Sequence, residues 1–301
     1  MRRQWVAPLL ASTIVRAADV LPFKDLLARM RDAKYKGLLF PLLAGVLILG
    51  SAWLFLGVVE DVVSRDPLVD VDVVVHGALQ KLRTPWMDGT MVAVTELGDV
   101  EVVLPLVLAA MAWFVWHRLW QTSLYWLAAT AVAEVLVKVL KFVMQRLRPG
   151  LLYEGVERYS FPSSHATLSV VVYGFLAFLV CREQRKGVRN GIALAAVLLV
   201  VSIAFSRLYL GVHWASDVIA GMSFALAWVG ALAFAYSYRI HEDVRPIQLL
   251  AWLMAVVLLA GSWHIARRHG LDMLRYAPVA SVAEPAHILS YGQYPVIWKK
   301  E

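Results

Sequence analysis

From Gly37 to Val59 the chain runs 23 residues without a charged side chain. About 20 apolar residues in a helix cross the hydrocarbon core of a bilayer, and inside that core every backbone N–H and C=O must be satisfied within the segment. This stretch is therefore a spanning helix. Further apolar runs repeat the pattern: Val102–Trp116, Thr122–Met144, Ser164–Val180, Ile192–Phe205, Val218–Tyr236 and Ile247–Ile265. With 60% hydrophobic residues and a mean hydropathy of +0.65, the chain lies outside the soluble class. The expected fold is all-α, a polytopic transmembrane helix bundle.

The formal charge of +7 would point to nucleic acid in a soluble domain. Here the Lys and Arg residues fall in short segments between apolar runs, where they set topology and meet headgroups, so no nucleic-acid partner is expected. Lys34 and Lys36 place the start of the first span in the cytoplasm, and Arg182, Arg185, Lys186 and Arg189 mark a cytoplasmic turn between the fourth and fifth spans. Glu60, Asp61, Asp66, Asp70 and Asp72 form an acidic stretch assigned outside. Before the first span, Trp5, Leu9 and Ile14, then Phe23, Leu26 and Met30, recur at helical spacing. Two amphipathic helices lying on the membrane fit this better than a signal peptide. The lone Cys181 excludes an intrachain disulfide and a multi-cysteine metal site.

Three polar clusters interrupt the apolar pattern. In KFVMQRLRP, Lys141 and Arg148 are seven apart and are expected on one helix face, with Pro149 ending the helix. In FPSSH, Ser163 and Ser164 open the fourth span, where free N–H groups and the helix dipole favour an anion. The plain alternatives are snorkelling cations and a serine N-cap. In SRLYLGVHWASD, Arg207 offers a guanidinium fork, and Asp217 lies one helical turn beyond His213, able to hold and charge-balance it. Alternating the spans brings the Lys141–Pro162 loop and His213 to one outer face. Three cations, a helix N-terminus and the histidines His165 and His213 on that face describe phosphoryl transfer through a covalent histidine intermediate.

The order Lys, six residues, Arg-Pro, then Pro-Ser-x-His, then Ser-Arg, five residues, His, three residues, Asp resembles the signature of the type-2 phosphatidic acid phosphatase superfamily, relatives of the vanadium haloperoxidases. The resemblance implies a six-helix core over residues 37–240. Residues 1–36 would be interfacial helices, and 241–301 a seventh span with an outer tail from Arg267. It makes His213 the nucleophile, Asp217 its orienter and His165 the general acid. Lys141, Arg148, Ser163, Ser164 and Arg207 would hold the phosphate oxygens. Ser164 departs from the commoner glycine; since it opens a helix, ordinary helical geometry is expected there.

The expected activity is metal-independent hydrolysis of a lipid phosphate, with no cofactor. The enzyme would sit in a bacterial cytoplasmic membrane with its site facing out. Candidate substrates are undecaprenyl diphosphate, phosphatidylglycerol phosphate, phosphatidic acid and a lipid A phosphate. A phosphotransferase of the same fold, or a receptor or transporter without chemistry, is the alternative; no oligomeric state follows. Glu134 and Lys138 are read as an internal ion pair, with headgroup recognition as the alternative, and Glu96 and Asp99 as exposed carboxylates, with lining of the entrance as the alternative; His76, His117, His241, His264, His269 and His287 show no partner pattern and are assigned no function.

Overall fold

A computed structural model describes residues 33–64, 67–149 and 158–277. The expected interfacial helices before residue 33 and the tail beyond 277 lie outside the described residues. Helix α1 covers Ala33–Ser64, α2 Pro67–Lys81, α3 Pro85–Glu96 and α4 Val100–Trp116. Helix α5, Trp120–Leu127, passes through a π-helical turn at Ala128–Val132 into α6, Ala133–Met144. Helix α7, Ser164–Ser169, passes through a second π turn at Val170–Gly174 into α8, Phe175–Cys181. Then come α9, Lys186–Tyr209, α10, Ala215–Arg239, and α11, Pro246–Arg275. Among the described residues no strand forms; Leu147 and Tyr159 make one isolated antiparallel bridge.

Among the described residues, six helical segments are long and apolar enough to cross a membrane: Leu39–Ser64, Pro85–Trp116, Ser164–Cys181, Lys186–Tyr209, Ala215–Arg239 and Pro246–Arg275. The expected third span is helical from Trp120 to Met144 and stands beside these six. The protein is an integral membrane protein. Its bundle is graded: the apolar stretch of Ser164–Cys181 is 61% buried within the protein, whereas that of Leu39–Ser64 is 11% buried and displays Leu42, Leu49, Trp53 and Leu56 outward. Such a surface is stable only against lipid, so tight packing and polar contacts, more than water exclusion, hold helix to helix. Trp126, Phe114, Phe175 and Tyr236 fill the centre, and the Trp126 indole donates to the Val107 carbonyl at 3.1 Å.

Four expectations change here. Helix α6 stops at Met144, because Gln145 adopts a left-handed cap (φ 45°) and its N–H closes onto the Lys141 carbonyl. Arg148 thus lies beyond the helix, and it shares no helix face with Lys141. The acidic stretch after the first span is not all solvated, since α2 carries Asp72 into the interior, where it is 1% exposed. Helix α11 continues unbroken to Arg275, so Arg267 and Arg268 are helical and not in a tail. Glu134 and Lys138 do pair, at 3.0 Å, but on an outward face, with side chains 40% and 70% exposed.

Candidate active site

The three clusters meet at one end of the bundle. After Tyr209 the chain turns through Gly211 (φ 71°) and re-enters a helix at Ala215, leaving His213 in the turn and Asp217 in the first turn of α10. His213 is 2% exposed. Its Nδ1 faces Asp217 Oδ2 at 3.3 Å, while its Nε2 lies 2.9 Å from an Arg148 amino group. The same Arg148 nitrogen donates to the Val212 carbonyl at 2.9 Å. Burial, and then the charges of Arg148, Arg207 and Lys141, hold the His213 imidazole well below its ordinary pKa. It is therefore neutral near pH 7, with Nδ1–H toward the carboxylate and a lone pair on Nε2.

Asp217 is fully buried and accepts from the Trp214 N–H at 3.0 Å, which caps α10. Its other oxygen takes a charged bond from Arg146 at 2.9 Å. Arg146 reaches on to Asp72 at 2.6 Å, and Asp72 in turn accepts from the Ser216 N–H at 2.8 Å. One guanidinium thus lies between two buried carboxylates. The sequence reading named Asp217 and missed both Arg146 and this use of Asp72.

Ser163 caps α7: its hydroxyl accepts from the Ala166 N–H at 3.4 Å, and its own N–H donates to the Asp217 carbonyl at 3.1 Å. Ser164 has ordinary backbone geometry, as expected, since among the described residues the positive-φ ones other than glycine are Arg118, Gln145 and Arg245. Close approach of α10 requires Gly221, where a Cβ would stand 2.7 Å from Thr167 Oγ1 and 2.9 Å from the Ser163 carbonyl. Lys141 is buried and donates to the Tyr159 carbonyl at 2.9 Å. Arg207 is buried, donates to Thr95 Oγ1 at 2.6 Å and to the Tyr276 hydroxyl at 3.1 Å, and leaves its Nε without a hydrogen-bond partner.

His165 opens α7, and its Nε2 lies 2.7 Å from Asp99 Oδ1. Asp99 and Glu96, expected as exposed carboxylates, are turned inward: Asp99 also meets His264 at 3.2 Å, and Glu96 meets His269 at 3.2 Å. The two histidines lie on α11 and have carboxylate partners that the sequence did not reveal. A buried neutral imidazole, a second histidine, three cations and a helix start are thus gathered at one end of the bundle, a set of groups with the chemistry to hold an oxyanion.

Comparison with known proteins finds a family and a fold for this chain. The PAP2 superfamily model matches residues 122–241, which include every site residue named from the sequence. Phosphatidylglycerophosphatase B of Bacillus subtilis is 28% identical over 181 residues, 58% of this chain and 88% of the relative. The putative undecaprenyl-diphosphatase YbjG of Escherichia coli is 34% identical over 150 residues, 46% of this chain and 68% of the relative. The crystal structure of a transmembrane PAP2 type phosphatidylglycerolphosphate phosphatase from Bacillus subtilis superposes with a TM-score of 0.56 at 27% identity, covering 64% of this chain and 98% of that one.

Proposed function

Because this chain belongs to the PAP2 superfamily, a membrane lipid phosphatase family by its relatives, we propose that it hydrolyses a phosphomonoester or diphosphate on a lipid headgroup through a phosphohistidine at His213. The observation that carries this is the placement of His213 between Asp217 and Arg148. Asp217 holds Nδ1–H and balances the charge that develops on the ring. Nε2 attacks phosphorus as the bond to the leaving oxygen breaks, and His165 supplies that oxygen's proton. Arg148, Arg207, Lys141 and the amides opening α7 with Ser163 and Ser164 stabilise the equatorial oxygens. Water then displaces His213 from phosphorus, giving its proton to His165 and releasing inorganic phosphate.

The substrate class is a phosphorylated lipid such as undecaprenyl diphosphate, phosphatidylglycerol phosphate, phosphatidic acid or a lipid A phosphate. The first two are supported by the names of the bacterial relatives. The site faces the outer side of a cytoplasmic membrane on this reading. Helices α7–α8 and α9 run between the site at one end and the basic turn Arg182, Arg185, Lys186 and Arg189 at the other, and such turns favour the cytoplasm.

The test is phosphate release by the purified protein in detergent with EDTA present, from those four lipids, beside His213→Ala. Release that survives EDTA and is lost in the variant is the expected result. Release unchanged in the variant would overturn the nucleophile. Phosphate appearing on an added lipid acceptor, with none free, would make the protein a transferase.

A further inference from the structure

The proposed general acid is held by residues that lie outside the family-matched segment. Asp99 occupies the N-cap position of α4, a place where an aspartate ordinarily bonds the first free amides of the helix. Its side chain makes no such bond. Both oxygens go instead to histidines: Oδ1 to His165 Nε2 at 2.7 Å and Oδ2 to His264 Nε2 at 3.2 Å. His264 is 6% exposed and comes from α11, 165 residues further along the chain. Gly98, just before Asp99, lets the ring approach, since a Cβ there would sit 3.0 Å from His165 Cδ2 and 2.9 Å from Ile203 Cγ2. The imidazole is therefore wedged over backbone and gripped at one nitrogen. Tyr276, the residue that caps the end of α11, supports the site a second time: its hydroxyl accepts from Arg207 and its ring lies 5.5 Å from the Arg207 guanidinium.

We infer that Asp99 and His264 are positioning residues for the acid step, and that helix α11 is part of the catalytic apparatus. The inference rests on the proposed role of His165. The Asp99 carboxylate fixes hydrogen on Nε2, so the mobile proton is the one on Nδ1, which must be in place before leaving-group departure. As the phosphorus–oxygen bond breaks, the Nδ1 proton passes to the leaving oxygen and His165 becomes neutral. When water attacks the phosphohistidine, Nδ1 takes a proton from that water as the phosphorus–nitrogen bond breaks. Asp99 stays a carboxylate throughout. His264 holds the second carboxylate oxygen, so Asp99 cannot rotate away from His165 into the capping bond it forgoes.

A general acid matters most for a poor leaving group, so kcat/KM on dioctanoyl phosphatidic acid, an alkoxide leaver, is set against 4-nitrophenyl phosphate, a good leaver. The full chain in detergent is assayed as wild type, His165→Gln, Asp99→Asn, His264→Gln and the Asp99→Asn/His165→Gln double variant. His165→Gln is expected to lose about 10²-fold or more on the alkyl substrate and far less on the aryl one. Asp99→Asn should share that bias, with a loss of about 10²-fold, His264→Gln should show it at about tenfold, and the double variant should be no slower than His165→Gln.

Equal losses on both substrates for Asp99→Asn and His264→Gln, with the bias intact in His165→Gln, would overturn the inference and leave the acid in place. Absence of bias in His165→Gln itself would overturn the acid and the inference together. If Asp99→Asn does not fold, His264→Gln decides, since it keeps a donor of similar size. The ligand atoms of Asp99, His264 and Asp272 lie within 4.8 Å of one another. Activity lost in EDTA and restored by Mn²⁺ or Zn²⁺ would therefore reassign these side chains to a metal and overturn the relay.

Discussion

The Arg148 amino group lies 2.9 Å from Nε2 of His213, so the cation proposed to hold the phosphate and the nitrogen proposed to attack it are in direct contact. A phosphate oxygen arriving at Arg148 must come up against Nε2. Arg148→Ala is expected to lower kcat by about 10²–10³-fold, the scale of losing a donor aimed at developing oxyanion charge. Arg148→Lys keeps the charge but not the fork, and should recover only part of that loss. Steady-state phosphate release decides, and wild-type kcat in Arg148→Ala would remove it from the mechanism.

Arg146 lies between Asp217 at 2.9 Å and Asp72 at 2.6 Å, both buried. Removing it strands two carboxylates away from water, at a cost of about 3–5 kcal/mol for a broken buried pair. Thermal unfolding in detergent should show Arg146→Ala as one of the least stable single variants. A melting temperature equal to wild type would mean that water reaches these carboxylates.

The depressed pKa of His213 gives a pH signature in stability. Above pH 6.5 the histidine is neutral in both folded and unfolded chains and contributes no slope. As pH falls below 6.5 the unfolded chain takes up a proton that the folded chain refuses, so stability declines until the lower folded pKa is reached. The melting temperature of the wild type should therefore drop more steeply between pH 6.5 and 5 than that of His213→Gln. Parallel curves would show that His213 titrates normally in the fold.

Gly221 and Gly50 make a matched pair. A Cβ at Gly221 would meet Thr167 Oγ1 at 2.7 Å and the Ser163 carbonyl at 2.9 Å, whereas at Gly50 nothing stands within 4 Å. Gly221→Ala must push the start of α7 away from α10 and should cost at least tenfold in activity, in line with a misplacement of reacting groups. Gly50→Ala should leave phosphate release unchanged and slightly raise stability. Equal behaviour of the two variants would mean that the α7–α10 contact is slack.

The span pattern was readable in the sequence because hydrocarbon imposes a length and a composition on every crossing. The His213–Asp217 pair was readable because four residues on one helix bring side chains together without tertiary information. Arg146–Asp72, Asp99–His165 and Asp99–His264 join residues 74, 66 and 165 positions apart, and one sequence carries no register for such pairs. Two signals did stand in the text. His264 is an ionisable residue within an apolar helix, which by itself marks a candidate site, and Asp99 follows a glycine at a helix start. The expected Lys141–Arg148 face fails because Gln145 turns the chain out of the helix before Pro149, the breaker that the sequence displays, is reached.

The gradient of burial across the bundle bears on how the enzyme would feel its membrane. Leu39–Ser64 has the smallest buried share of its apolar stretch, 11%, while Ser164–Cys181, which carries His165 at its second position, has the largest, 61%. A bilayer that is too thick or too thin acts first on the helices it touches, by tilt and by strain of fractions of a kcal/mol per Å. Changes in acyl-chain length should therefore shift the midpoint of unfolding well before they alter turnover, because the proposed acid His165 and the anion-holding helix start ride on the span that lipid reaches least.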